Sequence, residues 1–312
     1  MATPGRVLRI GAGSAISRVM TRYRGAFTAL VTPFADGKVD VATLRALVER
    51  QIEGGIHGLV PCGTTGESVT LDKEETETVI RTVVEQAKGR VPVIAGVGTN
   101  DTRKSIGLAE LAKKCGADGL LIVVPYYNKP TQAGLEAHFR ALLSAAKMPA
   151  MLYNIPGRTG IDLALDTLAR LADVEHVVAI KEATGNVVRA QQILARCGDR
   201  FDVLSGDDAI TLPMMASGGS GVVSVTSNLL PGPVSRVATL MLEGKLAEAR
   251  ELHMRLVEVH EAMFIEANPG PVKGLMARAG LLKPEVRLPM AWPEPSTVER
   301  AAAILDAAGF KP

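Results

Sequence analysis

Val177-Val178-Ala179-Ile180-Lys181-Glu182-Ala183 places a lysine at the carboxyl end of a short apolar run. Three β-branched residues and an alanine in succession read as a buried strand. A cationic side chain at the end of such a strand is costly unless it is hydrated, paired or chemically useful. Burial disfavours the protonated amine, and a neutral amine can attack a carbonyl to form a Schiff base. Taken alone, the run fits a lysine that snorkels from the core to solvent, the commoner fate of such a residue. The surrounding sequence reverses that balance.

On both sides of this run, apolar stretches alternate with amphipathic ones. Strands are expected over 27–34, 58–62, 91–97, 119–125, 150–155, 177–181, 201–206 and 221–226, and helical patterns such as 41–53, 73–88, 103–115 and 135–146 separate them. Strands that alternate with helices imply right-handed crossovers and a parallel sheet. Eight such units at roughly 30 residues each fit a (β/α)8 TIM barrel. An open doubly wound sheet would want a dinucleotide fingerprint after an early strand. Gly11-Ala12-Gly13 comes nearest, and no third glycine follows it at the required spacing. After Pro231 the pattern is entirely helical, over 234–242, 246–265, 271–279 and 297–308. The expected organisation is an extension over 1–24, a catalytic α/β barrel over 25–244 and an appended helical region over 245–312. The extension holds Arg6, Arg9, Arg18, Arg22 and Arg24 with no acid before Asp36, and is expected to be disordered or a start-site artefact.

Composition removes several classes of function. A chain of 312 residues that is 47% hydrophobic can bury one large core or two ordinary ones. Its net charge of +2 argues against nucleic acid or an anionic membrane as the main partner. No apolar stretch approaches the roughly 18 residues that span a bilayer. Cys62, Cys115 and Cys197 are odd in number and far apart, which suits a reducing, cytoplasmic compartment better than a disulfide framework. The histidines show neither HxH nor HExxH spacing, so no metal site is expected.

In a barrel, chemistry collects at the carboxyl ends of the strands. The second strand ends in Cys62-Gly63-Thr64-Thr65-Gly66-Glu67, where glycines allow a tight turn and the threonines add hydroxyls suited to a carboxylate. The fourth ends in Pro125-Tyr126-Tyr127-Asn128, and the fifth in Tyr153-Asn154-Ile155-Pro156-Gly157-Arg158-Thr159-Gly160. A tyrosine there can move protons, and an arginine on a Pro-Gly loop can fork onto a carboxylate. Each feature also has a plainer reading: a glycine turn, an aromatic plug, a surface ion pair. Ser205-Gly206-Asp207-Asp208 reads as a helix cap. Ser217-Gly218-Gly219-Ser220-Gly221 precedes the eighth strand and so belongs to the opposite face.

Taken together, Gly63-Thr64-Thr65-Gly66-Glu67, Tyr153-Asn154-Ile155-Pro156-Gly157-Arg158-Thr159-Gly160 and Ile180-Lys181-Glu182 resemble the dihydrodipicolinate synthase family. That family lies within the Schiff-base (class I) aldolases that include N-acetylneuraminate lyase. The resemblance covers about residues 25–305. It implies condensation of pyruvate with L-aspartate-4-semialdehyde to 4-hydroxy-tetrahydrodipicolinate, the entry to diaminopimelate and lysine biosynthesis. Lys181 would carry the imine and Tyr153 would relay protons. Thr64, and Tyr127 from a neighbouring subunit, would position Tyr153. Thr65 and Arg158 would bind the two carboxylates, with Gly206 and Val223 lining the pyruvate pocket. The resemblance further implies no metal or organic cofactor, and a homotetramer built as a dimer of dimers. The family's effector pocket corresponds to Ser68, Val69, Lys73, Thr76, Asn100, Lys104 and Tyr126. Inhibited members carry an acid at the position of Lys104, so weak or absent inhibition by L-lysine is expected. The competing readings are a sister aldolase or lyase acting on a sugar acid or hydroxyproline derivative, and a catalytically dead barrel. The first has little reason to keep both Thr64 and the Arg158 loop, and the second would be expected to have lost part of the set.

Overall fold

Eight parallel strands form one continuous sheet that closes on itself. They are β1 (Gly25–Ala29), β2 (Gly58–Val60), β3 (Ile94–Gly96), β4 (Gly119–Val123), β5 (Ala150–Asn154), β6 (Val177–Glu182), β7 (Asp202–Ser205) and β8 (Gly221–Ser224). The hydrogen-bonded order runs β2-β1-β8-β7-β6-β5-β4-β3. A parallel bridge between Leu59 and Val93, with Leu59 N–H donating to Pro92 O at 2.9 Å, joins β2 to β3 and completes the ring. The computed structural model describes residues 23–197 and 200–312. The extension expected over 1–24 therefore lies outside the described residues apart from its last two.

A helix follows each strand: α1 (Val41–Glu53), α2 (Lys73–Ala87), α3 (Thr102–Lys114), α4 (Gln132–Ala146), α5 (Leu165–Leu171), α6 (Val187–Cys197), α7 (Thr211–Ala216) and α8 (Pro231–Leu242). Their starts are chemically marked. Asp40, Asp72, Asp101 and Thr131 each accept a bond from a first-turn N–H, and Asp72 and Glu75 form a reciprocal capping box. The expected strands overrun the observed ones at several ends. Residues just past the strand ends still bond to the next strand, as Leu30 N–H does to Val60 O at 3.0 Å and Val124 N–H to Tyr153 O at 2.9 Å, but the regular ladder does not run on from there.

Strand side chains alternate between two apolar environments. Outward residues such as Leu59, Leu120, Leu152, Ile180 and Val222 pack under the helices. Inward ones, including Phe27, Val60, Ile94, Leu121, Met151, Ala179, Leu204 and Val223, fill the barrel. Tyr23 closes the amino end, packed edge-on against Phe27 at 5.8 Å. Gly119 leaves room for it, since a Cβ there would stand 2.1 Å from the phenol oxygen. Burial pushes the Tyr23 phenol above its ordinary range. Ser220 also lies at this end, with its carbonyl accepting from Gly25 N–H, which puts the serine-glycine loop on the face opposite the strand carboxyl ends.

The later helices α9 (Leu246–Ala262), α10 (Gly270–Arg278) and α11 (Pro295–Ala307) share a second apolar cluster with Leu47, Val225, Leu229 and Val237 of the barrel. A buried polar knot also ties them to the mouth. Lys273, 0% exposed, donates from Nζ to Glu67 Oε1 at 2.5 Å and to Glu285 O at 2.9 Å. The other Glu67 oxygen accepts from Arg287 N–H at 2.9 Å, and the Arg287 guanidinium forks onto Glu75. The Lys273 and Arg287 cations lie 4.5 and 4.3 Å from the Phe34 ring. Burial lowers the Lys273 pKa, and the Glu67 carboxylate opposes that effect.

Removing one partner of such a pair strands a buried charge. Lys273→Met should therefore cost about 3–5 kcal/mol of unfolding free energy in denaturant titrations. Adding Glu67→Gln in the same chain should recover a large part of that loss, because the double change removes both charges.

Candidate active site

Parallel pairing fixes the centre of the site. β5 and β6 are in register, with Tyr153 opposite Lys181 and Asn154 opposite Glu182. Strand parity then turns Tyr153 and Lys181 into the barrel and their successors outward. Lys181 is 5% exposed, and its Nζ lies 4.2 Å from the centre of the Tyr153 ring. On the far side, β7 ends beside the lysine stem. A Cβ at Gly206 would stand 2.9 Å from Lys181 Cε and 2.6 Å from Ala183 Cβ, so only a bare backbone fits. Val223 packs in the same interior cluster as Tyr153.

A cavity of about 230 Å3 opens at this end, lined among others by Thr64, Tyr126, Tyr153 and Arg158. Cys62 also lines it, and burial pushes its thiol up to about 12, which keeps it a neutral wall. After β2 the chain winds into a tight turn, with Gly66 and Ser68 N–H bonding Gly63 O and Glu67 N–H bonding Thr64 O. The N–H groups of Thr64 and Thr65 open that turn and have no acceptor among the described residues. Paired N–H groups of this kind suit an anion. The Thr65 hydroxyl accepts from Asn268 Nδ2 at 3.0 Å, which leaves its proton available to a second acceptor. Arg158 is exposed at the rim, on the short helical turn Pro156–Thr159, and reaches Asn268 O at 3.4 Å.

The remaining expected residues divide into two groups. Ser68 and Val69 border the same cavity as the threonine turn. Tyr127 is 87% exposed at a positive φ of 71° and is not among the cavity-lining residues. Lys104 is exposed in the first turn of α3, and the Asn100 carbonyl accepts from Asn128 Nδ2 at 2.9 Å. Burial raises the Tyr126 phenol and the Asp207 carboxyl above their ordinary values. Asp207 caps the following turn by accepting from Ala209 N–H, as its place after Gly206 suggests. Among the described residues no cluster of histidine, cysteine and acid could hold a metal ion. Asn268 and the Glu67–Lys273 pair escaped sequence reasoning. Asn268 stands 203 positions from Thr65, and an Asn-Pro pair signals only a turn.

A primary amine against a phenol ring, with a turn of unbonded N–H groups and an arginine at the same end of the barrel, can form an imine with a keto acid and move protons around it.

The family model for the dihydrodipicolinate synthetase family matches residues 22–308. The 4-hydroxy-tetrahydrodipicolinate synthase of Nitratidesulfovibrio vulgaris (strain Miyazaki F) is 52% identical over 290 residues, covering 93% of this chain and 99% of that one. The synthase of Pelobacter propionicus is 54% identical over 269 residues, covering 86% and 93%. Among solved structures, the synthase of Methylacidiphilum fumariolicum SolV superposes with a TM-score of 0.91 at 45% identity, covering 92% of this chain and 96% of that one. The pyruvate complex of the chloride-inhibited synthase from Acinetobacter baumannii gives 0.90 at 41%, covering 92% and 99%. The chain belongs to the dihydrodipicolinate synthetase family.

Gly206→Ala tests the packing at the lysine. It should leave the circular dichroism spectrum unchanged and slow reductive trapping of a small keto acid on Lys181 about tenfold or more, because the added methyl displaces the amine.

Proposed function

We propose that the chain is a Schiff-base synthase that condenses pyruvate with L-aspartate-4-semialdehyde to give 4-hydroxy-tetrahydrodipicolinate, for diaminopimelate and lysine biosynthesis. The observation that carries this reading is the Lys181 amine held 4.2 Å from the Tyr153 ring inside the barrel mouth of a family member. Lys181 Nζ attacks C2 of pyruvate, and loss of water leaves the imine. Departure of a methyl proton gives the enamine, whose terminal carbon attacks the aldehyde of the second substrate. The amino group of that substrate then adds to the imine carbon, closes the ring and expels Lys181. Tyr153 carries the protons of these steps, with Thr64 beside it in the cavity wall. The Thr64–Thr65 turn receives the pyruvate carboxylate, and Arg158 at the rim receives the carboxylate of the semialdehyde. Gly206 and Val223 bound the pyruvate pocket.

Tyr127 completes the relay from a neighbouring subunit in this reading. Its exposure of 87% supports that placement, since a side chain serving its own cavity would be covered. In the same reading the working assembly is a homotetramer, built as a dimer of dimers. Cys62, Cys115 and Cys197 are free and buried, and no helix among the described residues is long and apolar enough to cross a membrane. These features support a cytoplasmic setting. The sister-aldolase reading loses ground because the relatives reported above at 52% and 54% identity are synthases.

Pyruvate with borohydride should add mass to the peptide that contains Lys181, and pyruvate consumption should require the semialdehyde. Adduct without semialdehyde-dependent turnover would instead point to a sister aldolase. Tyr153→Phe should still form the adduct while kcat falls about 100-fold or more, the usual range for losing a positioned acid–base group.

Regulation offers an independent check. In the reading of Ser68, Asn100, Lys104 and Tyr126 as an effector pocket, Lys104 brings an ammonium where a lysine ligand would want an acid. L-lysine should inhibit only weakly, with no effect at micromolar concentration in steady-state assays. Lys104→Glu should increase sensitivity.

A further inference from the structure

Directly behind the Lys181–Tyr153 pair lies a polar network to which the reaction steps above assign no task. Asn154 opposite Glu182 is the last register pair between β5 and β6, one position beyond Tyr153 and Lys181. Strand ends fray first, and both proposed catalytic side chains hang from the penultimate pair. Here the last pair is cross-linked through its side chains. Glu182, 1% exposed, accepts from Asn154 Nδ2 at 3.1 Å, from Thr184 N–H at 3.0 Å and from Arg189 Nε at 3.1 Å. Asn154 Nδ2 also donates to Asp162 Oδ1 at 2.8 Å, and Asn154 Oδ1 accepts from Leu163 N–H at 3.1 Å. Arg189, at the start of α6, closes the circuit by donating to Asp162 Oδ2 at 3.0 Å and to Leu163 O. The network therefore grips three things at once: the strand of the tyrosine, the strand of the lysine, and the far end of the loop that carries Arg158.

We propose that Asn154, Asp162, Glu182 and Arg189 are positioning residues that hold the Lys181 amine, the Tyr153 phenol and the Arg158 loop in one reactive arrangement. The inference rests on the imine chemistry proposed above. Lysine is a flexible four-carbon stem, so its amine is placed only as well as the backbone beneath it is held. The bonds have defined directions and centre on the buried Glu182 carboxylate and Asn154 amide, so they resist rotation of one strand end against the other better than apolar packing does. None of the four residues lines the cavity, so their effect must pass through Tyr153 and Arg158, which do, and through Lys181 against the Tyr153 ring.

Glu182→Gln tests this with little change of shape, because it removes the charge facing Arg189 and its single amide oxygen can serve either Asn154 Nδ2 and Arg189 Nε or Thr184 N–H, setting amide hydrogens against the other. The wild-type enzyme is first titrated with pyruvate and borohydride to count reactive sites. In Glu182→Gln the trapped fraction should match wild type and the pyruvate KM should stay within about threefold, while kcat per trapped site falls about tenfold or more. Arg189→Met should behave alike, and Arg189→Lys, which keeps a cation, should recover part of the rate. If Glu182→Gln does not fold, Asp162→Asn carries the test. Its side chain is 46% exposed, and it loses the charge facing Arg189 while keeping an oxygen for Asn154. A smaller loss, about threefold in kcat per trapped site, is then expected. Unchanged kcat per trapped site, or a rate loss that merely follows the loss of trappable sites, would overturn the proposal. Failure of the wild type itself to trap pyruvate would instead overturn the functional reading, and this inference with it.

Discussion

Strand parity governs the rest of this molecule. Each barrel strand must turn alternate side chains inward and outward, so two residues on neighbouring strands share an environment only if their register agrees. The pairing of Tyr153 with Lys181 satisfies that condition at the carboxyl end of the barrel. A one-residue slip of either strand would send its own group out under the helices and bring Asn154 or Glu182 into the mouth in its place. The apolar residues below, Met151 and Ala179 among them, share the inward parity and hold the register by their burial. Packing in the lower barrel thus specifies chemistry at its rim.

The residues around the mouth are held by polar rather than apolar contacts. The threonine turn is anchored through Glu67 to Lys273 and Arg287, and through Thr65 to Asn268, all of which follow the eighth strand. The later helices thus support the binding loop and are not merely attached to the barrel. Apolar packing alone would leave this loop free to slide. Charged partners with fixed directions specify one position, at the expense of desolvating Lys273.

Legibility from sequence followed the range of the interactions. The alternation of strands and helices was readable because it arises from local periodicity, and the strands stand where the apolar runs do. The motif residues were readable because each stands at a strand end, where a barrel collects its chemistry. Lys104 and Tyr127 were readable only as positions, since what an exposed side chain meets in an assembly is not set by its neighbours in sequence. Asn268 carried no signal, because its partner Thr65 lies 203 positions away and its own surroundings announce only a turn. Glu182 and Asn154 stood inside quoted motifs without a role, because their cross-strand bonds depend on register.

The sequence by itself determined the parallel barrel, the strand-end placement of Lys181, Tyr153, Thr64 and Arg158, and the family to which they belong, since periodicity and motif spacing are properties of neighbouring residues. Only the tertiary structure decided that Lys181 Nζ stands 4.2 Å from the Tyr153 ring, that Gly206 alone leaves room for the lysine stem, and that Asn268 and Lys273 return to support the threonine turn. Those facts depend on strand register and on the return of the later segments to the mouth, which bring together residues that no local pattern relates.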